Sequence, residues 1–218
     1  MMIPLRIAIF LSLVIYPLGM LSAPQQASGT AKSAERDEPS LEIFGFRLGV
    51  TTVQEIQSKL GMAKIENCGT GTEHCTQICY AAWHNPNKIL IFESGFSGGW
   101  KKIDGFSLMS NFAETPKPRQ CKKTKVLDEY FGPSSTLRLG ASRNELLAKL
   151  GIPKKESRGS IAYEWNYRMP MTPSEVQDQK TSFGKLPSDP QWDVTDTLEL
   201  HFVHGSIALI SLHHDVSY

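Results

Sequence analysis

A pattern that occurs twice constrains this chain more than any other feature. Phe46-Arg47-Leu48-Gly49-Val50 is followed by Thr52, Glu55, Ile56, Lys59, Leu60 and Gly61. About ninety residues later, Leu137-Arg138-Leu139-Gly140-Ala141 is followed by Ser142, Glu145, Leu146, Lys149, Leu150 and Gly151. Each copy makes physical sense on its own. Thr52 and Ser142 stand three residues before a glutamate, so hydroxyl and carboxylate can satisfy the free amides of a helix start in a capping box. Gly61 and Gly151 sit where a left-handed C-terminal cap wants glycine, and Pro153 blocks continuation. Between the caps, Val53, Ile56 and Leu60 form one apolar stripe, as do Leu146, Leu147 and Leu150.

Helices this short are marginal alone and must lay their stripe on something larger. The segments after them supply it. Ile161, Tyr163, Trp165 and Tyr167 alternate with polar neighbours, and Leu198, Leu200 and Phe202 do likewise. The chain then turns at His204-Gly205-Ser206 and returns through Ala208, Ile210 and Leu212. In the first copy, strands are expected around Ala63 to Asn67, Ile78 to Trp83, Lys88 to Gly95 and Trp100 to Met109. The predicted class is α+β, with two tandem units over 41–120 and 121–218, each a short capped helix on an antiparallel meander. Residues 169–193 contain Pro170, Pro173, Pro187 and Pro190 without a strong period, and read as a long insertion between strands.

The first residues read as an export signal. Arg6 precedes an apolar run from Ile7 to Leu21, and Ser22 and Ala23 provide small residues for cleavage, so 1–23 is expected to be removed. A retained anchor is the competing reading, although 15 residues fall short of the roughly 20 that span a bilayer. Residues 24–40 are small, polar or charged and read as a flexible tether. Export makes the cysteines structural. Cys68, Cys75, Cys79 and Cys121 are an even number, and two disulfides are expected in an oxidising compartment. Three pairings are open; the favoured one joins Cys68 to Cys79 across a hairpin and Cys75 to Cys121.

Charge narrows the partners. Lys and Arg total 23 against 22 Asp and Glu, and without Arg6 the two sides balance. Nucleic acid and anionic membranes call for a basic surface, so neither is expected as a non-specific partner, nor is stable membrane insertion once the signal is gone. Catalytic motifs are thin. Gly95-Phe96-Ser97-Gly98-Gly99 matches a nucleophile elbow, but the elbow needs a helix after its serine, and Trp100 to Ile103 alternates like a strand. His201, His204, His213 and His214 cluster in sequence, with Asp215 following. A hairpin turning at His204-Gly205 sets His201 near Leu209 and His213 near Thr197, roughly 13 Å apart at about 3.4 Å per residue, too far for one zinc ion. No enzyme activity, cofactor or metal is expected.

Several of these residues together carry a resemblance. Leu139-Gly140, the cap Ser142, Glu145, Leu150-Gly151-Ile152-Pro153, Tyr163-Glu164-Trp165-Asn166-Tyr167 and the strands flanking His204-Gly205 come in that order. That order resembles the SmpA/OmlA envelope-protein domain, whose fold is shared with β-lactamase inhibitory protein. The second copy, Leu137 to Leu212, fits best. The first, Phe44 to Met109, fits through its helix and then departs, with three cysteines in its first hairpin. Pro24 stands where the lipid-anchored members carry an acylated cysteine. The resemblance implies a periplasmic or secreted, non-catalytic module that binds another protein through the sheet face the helices leave open. Its tandem form also implies an alternative, an inhibitor or immunity protein that blocks a hydrolase. Tryptophan concentrates interface energy, and of Trp83, Trp100, Trp165 and Trp192 the expected binding residues are Trp192, in the proline-rich insertion, with Phe183 and Trp100. Trp165, sharing a strand face with Tyr163 and Tyr167, is expected in the core.

Overall fold

The computed structural model describes residues 42–69, 75–95, 101–110, 121–134, 137–184 and 190–217. The expected signal and tether, Ser97, Trp100 and the loop at 185–189 lie outside them. The described chain runs through β1 (Glu42–Ile43), β2 (Phe46–Arg47), α1 (Val53–Leu60), β3 (Ile65–Asn67), β4 (Thr76–Ala82), β5 (Lys88–Ser94), β6 (Gly105–Ser110) and β7 (Lys122–Thr124). It continues through α2 (Arg143–Leu150), β8 (Lys155–Glu156), β9 (Ser160–Pro170), α3 (Pro173–Phe183), β10 (Gln191–Val203) and β11 (Ser206–Ser217). The class is mixed α+β, dominated by a large antiparallel sheet.

Helices α1 and α2 start on the device read from sequence. Thr52 Oγ1 accepts the Glu55 amide at 3.2 Å while Glu55 Oε2 accepts the Thr52 amide at 2.7 Å. Ser142 and Glu145 repeat the exchange at 3.3 and 2.9 Å. The ends differ from expectation. Gly61 and Gly151 have positive φ, 95° and 76°, but ψ of 157° and −152°, so the chain leaves each helix extended instead of coiling left-handed. Their amides still close the last turn, on the carbonyls of Gln57 and Leu147 at 2.9 Å.

The two meanders form one sheet, not two. Nine strands run in the order β3-β4-β5-β6-β11-β10-β9-β8, with β7 pairing β4 in parallel, while β1 and β2 form a separate two-stranded ribbon. β6 pairs antiparallel with β11, Leu108 opposite Ile210 and Phe106 opposite Leu212, so a boundary near residue 120 does not separate two bodies. The physical reason lies in the edges. β6 and β11 are long and apolar, and unpaired they would expose a row of amides and carbonyls. The outer edges are blunted, since β3 and β8 have three and two residues.

Register then builds the core. Ile78, Phe92, Phe106, Leu212, Leu198 and Tyr163 are successive cross-strand partners, and Tyr80, Leu90, Leu108, Ile210, Leu200 and Ile161 make the neighbouring row. All are buried. Ile56 and Leu60 of α1 and Leu146 of α2 pack on this face, with Val53, Leu147 and Leu150 half-buried beside them. At roughly 1.5–3 kcal/mol for each large apolar side chain removed from water, these two rows hold the sheet against its ordering entropy.

The corresponding segments make the same contacts. Gly49 donates its amide to Ile103 and Gly140 to Ile207, both at 2.8 Å; Ile103 and Ile207 donate back to Thr51 and Ala141 at 2.9 Å. Tyr80 Oη donates to the Gly61 carbonyl at 2.9 Å, and Tyr163 Oη to that of Gly151 at 3.0 Å.

The insertion is shorter than expected and contains a helix. β9 and β10 stay paired out to Pro170 and Gln191, and α3 fills much of the turn between them. Thr172 caps α3 through Glu175, and Pro173 occupies its first turn, where no amide is needed. Of the prolines read as loop signals, Pro170 therefore ends a strand and Pro173 starts a helix.

The disulfides also differ from the favoured pairing. Cys68 joins Cys75 and Cys79 joins Cys121, with Cα atoms 5.2 and 4.6 Å apart. Asn67 opposes Thr76, which sets Cys68 across from Cys75 and leaves Cys79 four residues further along β4. Parallel pairing of Tyr80 with Lys122 brings Cys121 beside Cys79. Among the described residues no helix is long and apolar enough to cross a membrane.

Candidate functional site

Because side chains alternate along strands, the residues between the core rows point to the sheet's other face. One end of that face is apolar: Cys79, Ile91 and Met109 form a small buried cluster, flanked by Ile89, Cys121 and Leu209. Across β9, β10 and β11 the same face is polar. Ser107 opposes Ser211, which opposes Glu199; His213 opposes Thr197, which opposes Glu164; Thr195 opposes Asn166.

These groups are held before any partner arrives. Ser107 Oγ and Ser211 Oγ share a hydrogen bond at 2.9 Å, and Ser211 Oγ lies 3.0 Å from His213 Nε2. His201 Nε2 is 3.0 Å from Glu199 Oε1. Thr195 Oγ1 donates to Asn166 Oδ1 at 2.8 Å, Asn166 Nδ2 donates to Glu164 at 2.9 Å, and Lys154 pairs with Glu164 as well. The Lys154 ammonium, and after it the Asn166 amide, hold the Glu164 carboxyl below its ordinary range. Ser211 is 6% exposed, so its hydroxyl serves as a link between Ser107 and His213.

The histidines fall where the hairpin geometry predicts, His201 opposite Leu209 and His213 opposite Thr197. His204 is exposed at the turn with φ of 50°. His214 points to the core face, buried, with Nδ1 2.7 Å from Asp196 Oδ1. Among the described residues no group of three His, Cys, Asp or Glu side chains is placed to hold a metal ion. The Asp196–His214 pair was missed from sequence, yet the signal was present: each stands two residues from a core leucine, Leu198 and Leu212, on the same strand face.

The expected binding residues are not gathered at one place. Trp192 lies on β10 opposite Met169, half-buried, and its indole bonds the Glu175 carboxylate at the start of α3. It is therefore a strand residue that ties down the helix, not an exposed loop anchor. Phe183 ends α3, and Trp100 lies outside the described residues. Trp165 stacks on Tyr163 with centroids 5.9 Å apart and packs against the core. Among the described residues Trp83 is the exposed tryptophan, 51% accessible, with the ammonium groups of Lys123 and Lys125 each 6.0 Å from its ring centre. At the elbow-like sequence, β5 ends just before Gly95 and the next described strand, β6, returns antiparallel to it, while Ser97 itself lies outside the described residues.

No family model, no curated protein and no solved structure matches the chain.

Proposed function

We propose that this is an exported, non-catalytic binding protein of the periplasm or extracellular space, whose polar sheet face docks another protein. The observation that carries the reading is the asymmetry of the sheet: α1 and α2 pack on one face, and the other presents linked polar side chains across β9, β10 and β11. Side chains already fixed by neighbours lose little rotamer freedom on docking, so such a face binds at low entropic cost. The two disulfides suit an oxidising compartment, and the apolar run from Ile7 to Leu21 supports export.

We also infer that the sheet arose from two copies of one unit, α1 with β3 to β6 and α2 with β8 to β11. Support comes from the shared capping boxes, the matched Gly49/Gly140 and Tyr80/Tyr163 bonds, and a strand order that reads outward from β6–β11 in the same sequence on both sides. The duplicated form is what gives the face its width.

The test is capture from an envelope extract with the purified full chain as bait, against a Thr197→Arg/Glu199→Arg variant. One stoichiometric protein held by the wild type and lost about tenfold or more by the variant, at unchanged melting temperature, is the expected result. Equal capture by both baits removes the sheet face as the dock. If the captured protein is a hydrolase that loses activity on binding, the docking role is inhibitory.

A further inference from the structure

On the helix side of the sheet, at one end, lies a cavity of about 580 Å³. Lys88 and Ser110 oppose each other there, two residues beyond Leu90 and Leu108 and hence on the core face. Leu139, Ile207 and Ala208 form the apolar floor, and the exposed Phe131 and Val203 stand at its rim.

Lys88 is the unusual member. It is 3% exposed, yet it lines the cavity. Among the described residues that ammonium makes one hydrogen bond, to the Asp128 backbone carbonyl at 2.9 Å, and sits 3.9 Å from the centre of the Phe131 ring. The carboxylate that would ordinarily balance it is engaged elsewhere. Asp128 Oδ1 accepts the His84 amide at 2.9 Å, and Oδ2 lies 2.9 Å from His84 Nδ1. Burial holds the lysine below its ordinary range, and the more distant Asp128 charge only partly opposes this. A buried cation with a carbonyl and an aromatic face for company lacks the compensation that burial of charge demands.

We propose that this cavity binds a ligand consisting of a single carboxylate on an apolar body, the carboxylate meeting Lys88 and Ser110 and the body resting on Leu139 and Ile207. The volume falls within the roughly 300–1,000 Å³ of small-molecule sites, and the mixture of an apolar wall with few convergent polar groups is typical of them. One ammonium whose neighbouring carboxylate is taken up by His84 has a single positive charge to offer, which matches a monoanion; a dianionic phosphate would leave one charge unmatched. Two sources share this chemistry, a free aliphatic acid and the C-terminal residue of a protein chain. The site is on the opposite side of the sheet from the docking face proposed above and does not depend on it.

The test is calorimetric titration of the purified full chain with N-acetylleucine, N-acetylleucinamide, acetyl-Ala-Ala-Leu and its C-terminal amide. Saturable binding of an acid, about tenfold or more tighter than its amide and lost in Lys88→Met, is expected. Val203→Trp, which obstructs the rim from an exposed position, should abolish the same binding at unchanged melting temperature and carries the test if Lys88→Met does not fold. Binding by the tripeptide acid alone assigns a C-terminal residue as the ligand, and binding by both acids, or by N-acetylleucine alone, a free acid. Equal affinity for acid and amide, no saturable binding of any probe, or undiminished binding by Val203→Trp overturns the proposal.

Discussion

The two disulfides are predicted to contribute unequally, and the inequality also tests their pairing. The Cys79–Cys121 bridge closes a sequence separation of 42 residues and the Cys68–Cys75 bridge one of 7. Loop-closure entropy in the unfolded chain gives about 3.9 kcal/mol for the first and about 2.4 kcal/mol for the second at 25 °C. A domain of this size loses about 2–4 °C of melting temperature per kcal/mol. Cys79→Ala/Cys121→Ala should therefore melt about 8–16 °C below the wild type, and Cys68→Ala/Cys75→Ala about 5–10 °C below it. The first variant carries a second cost, because Cys79 is buried against Ile91 and Met109 and its sulfur is lost from that cluster. The assay is reversible thermal unfolding, with free thiols counted on the denatured chain. Each paired variant should retain one intact bridge and show no free thiol. Under the alternative of Cys68 with Cys79 and Cys75 with Cys121, either double replacement breaks both bridges. Two reactive thiols in each variant, with equal stability losses, would refute the pairing and the β4–β7 register beneath it.

Two further predictions concern the repeated segment. Thr52→Ala and Ser142→Ala should each cost about 1 kcal/mol in urea unfolding, since each removes half of a capping box. Glu55 and Glu145 are held below the ordinary glutamate value of 4.5, first by the cap residue's backbone amide and then by its hydroxyl. Their contribution is complete above 4.5 and declines as pH falls through the lowered folded value, so both variants should show a shallower loss of stability on acidification. Gly49→Ala should be worse than Gly140→Ala by thermal melting. Both glycines have positive φ, 71° and 82°, which costs about 1–2 kcal/mol with a side chain, but only at Gly49 would the new Cβ meet another residue, 2.8 Å from His214 Nε2. Equal losses at the two positions would show that His214 yields freely.

Local signals were legible, and long-range pairing was not. Thr52 with Glu55 and Ser142 with Glu145 announce helix starts because a capping box is complete within four residues. Alternation from Ile161 to Tyr167 and the turn at His204-Gly205 likewise depend on neighbours in the chain, and they were enough to place His201 and His213 opposite Leu209 and Thr197. The same cap signature at Thr172 and Glu175 went unread because four prolines nearby suggested a loop, although Pro173 favours a first helical turn. The merger of the two meanders rests on contact between Leu108 and Ile210, and the bridge from Cys79 to Cys121 on a parallel strand, neither of which leaves a local trace.

The differences between the two Leu-Gly segments arise where these two kinds of information meet. β11 continues past the core rows to place His214 under the Leu48-Gly49 turn, while nothing lies within 4 Å of a Cβ built on Gly140. Asp196, brought opposite His214 by the β10–β11 register, satisfies the imidazole that this extension buries. A glycine whose need is conformational at position 140 is thus also a packing requirement at position 49, and only the strand pairing across the sheet tells the two apart.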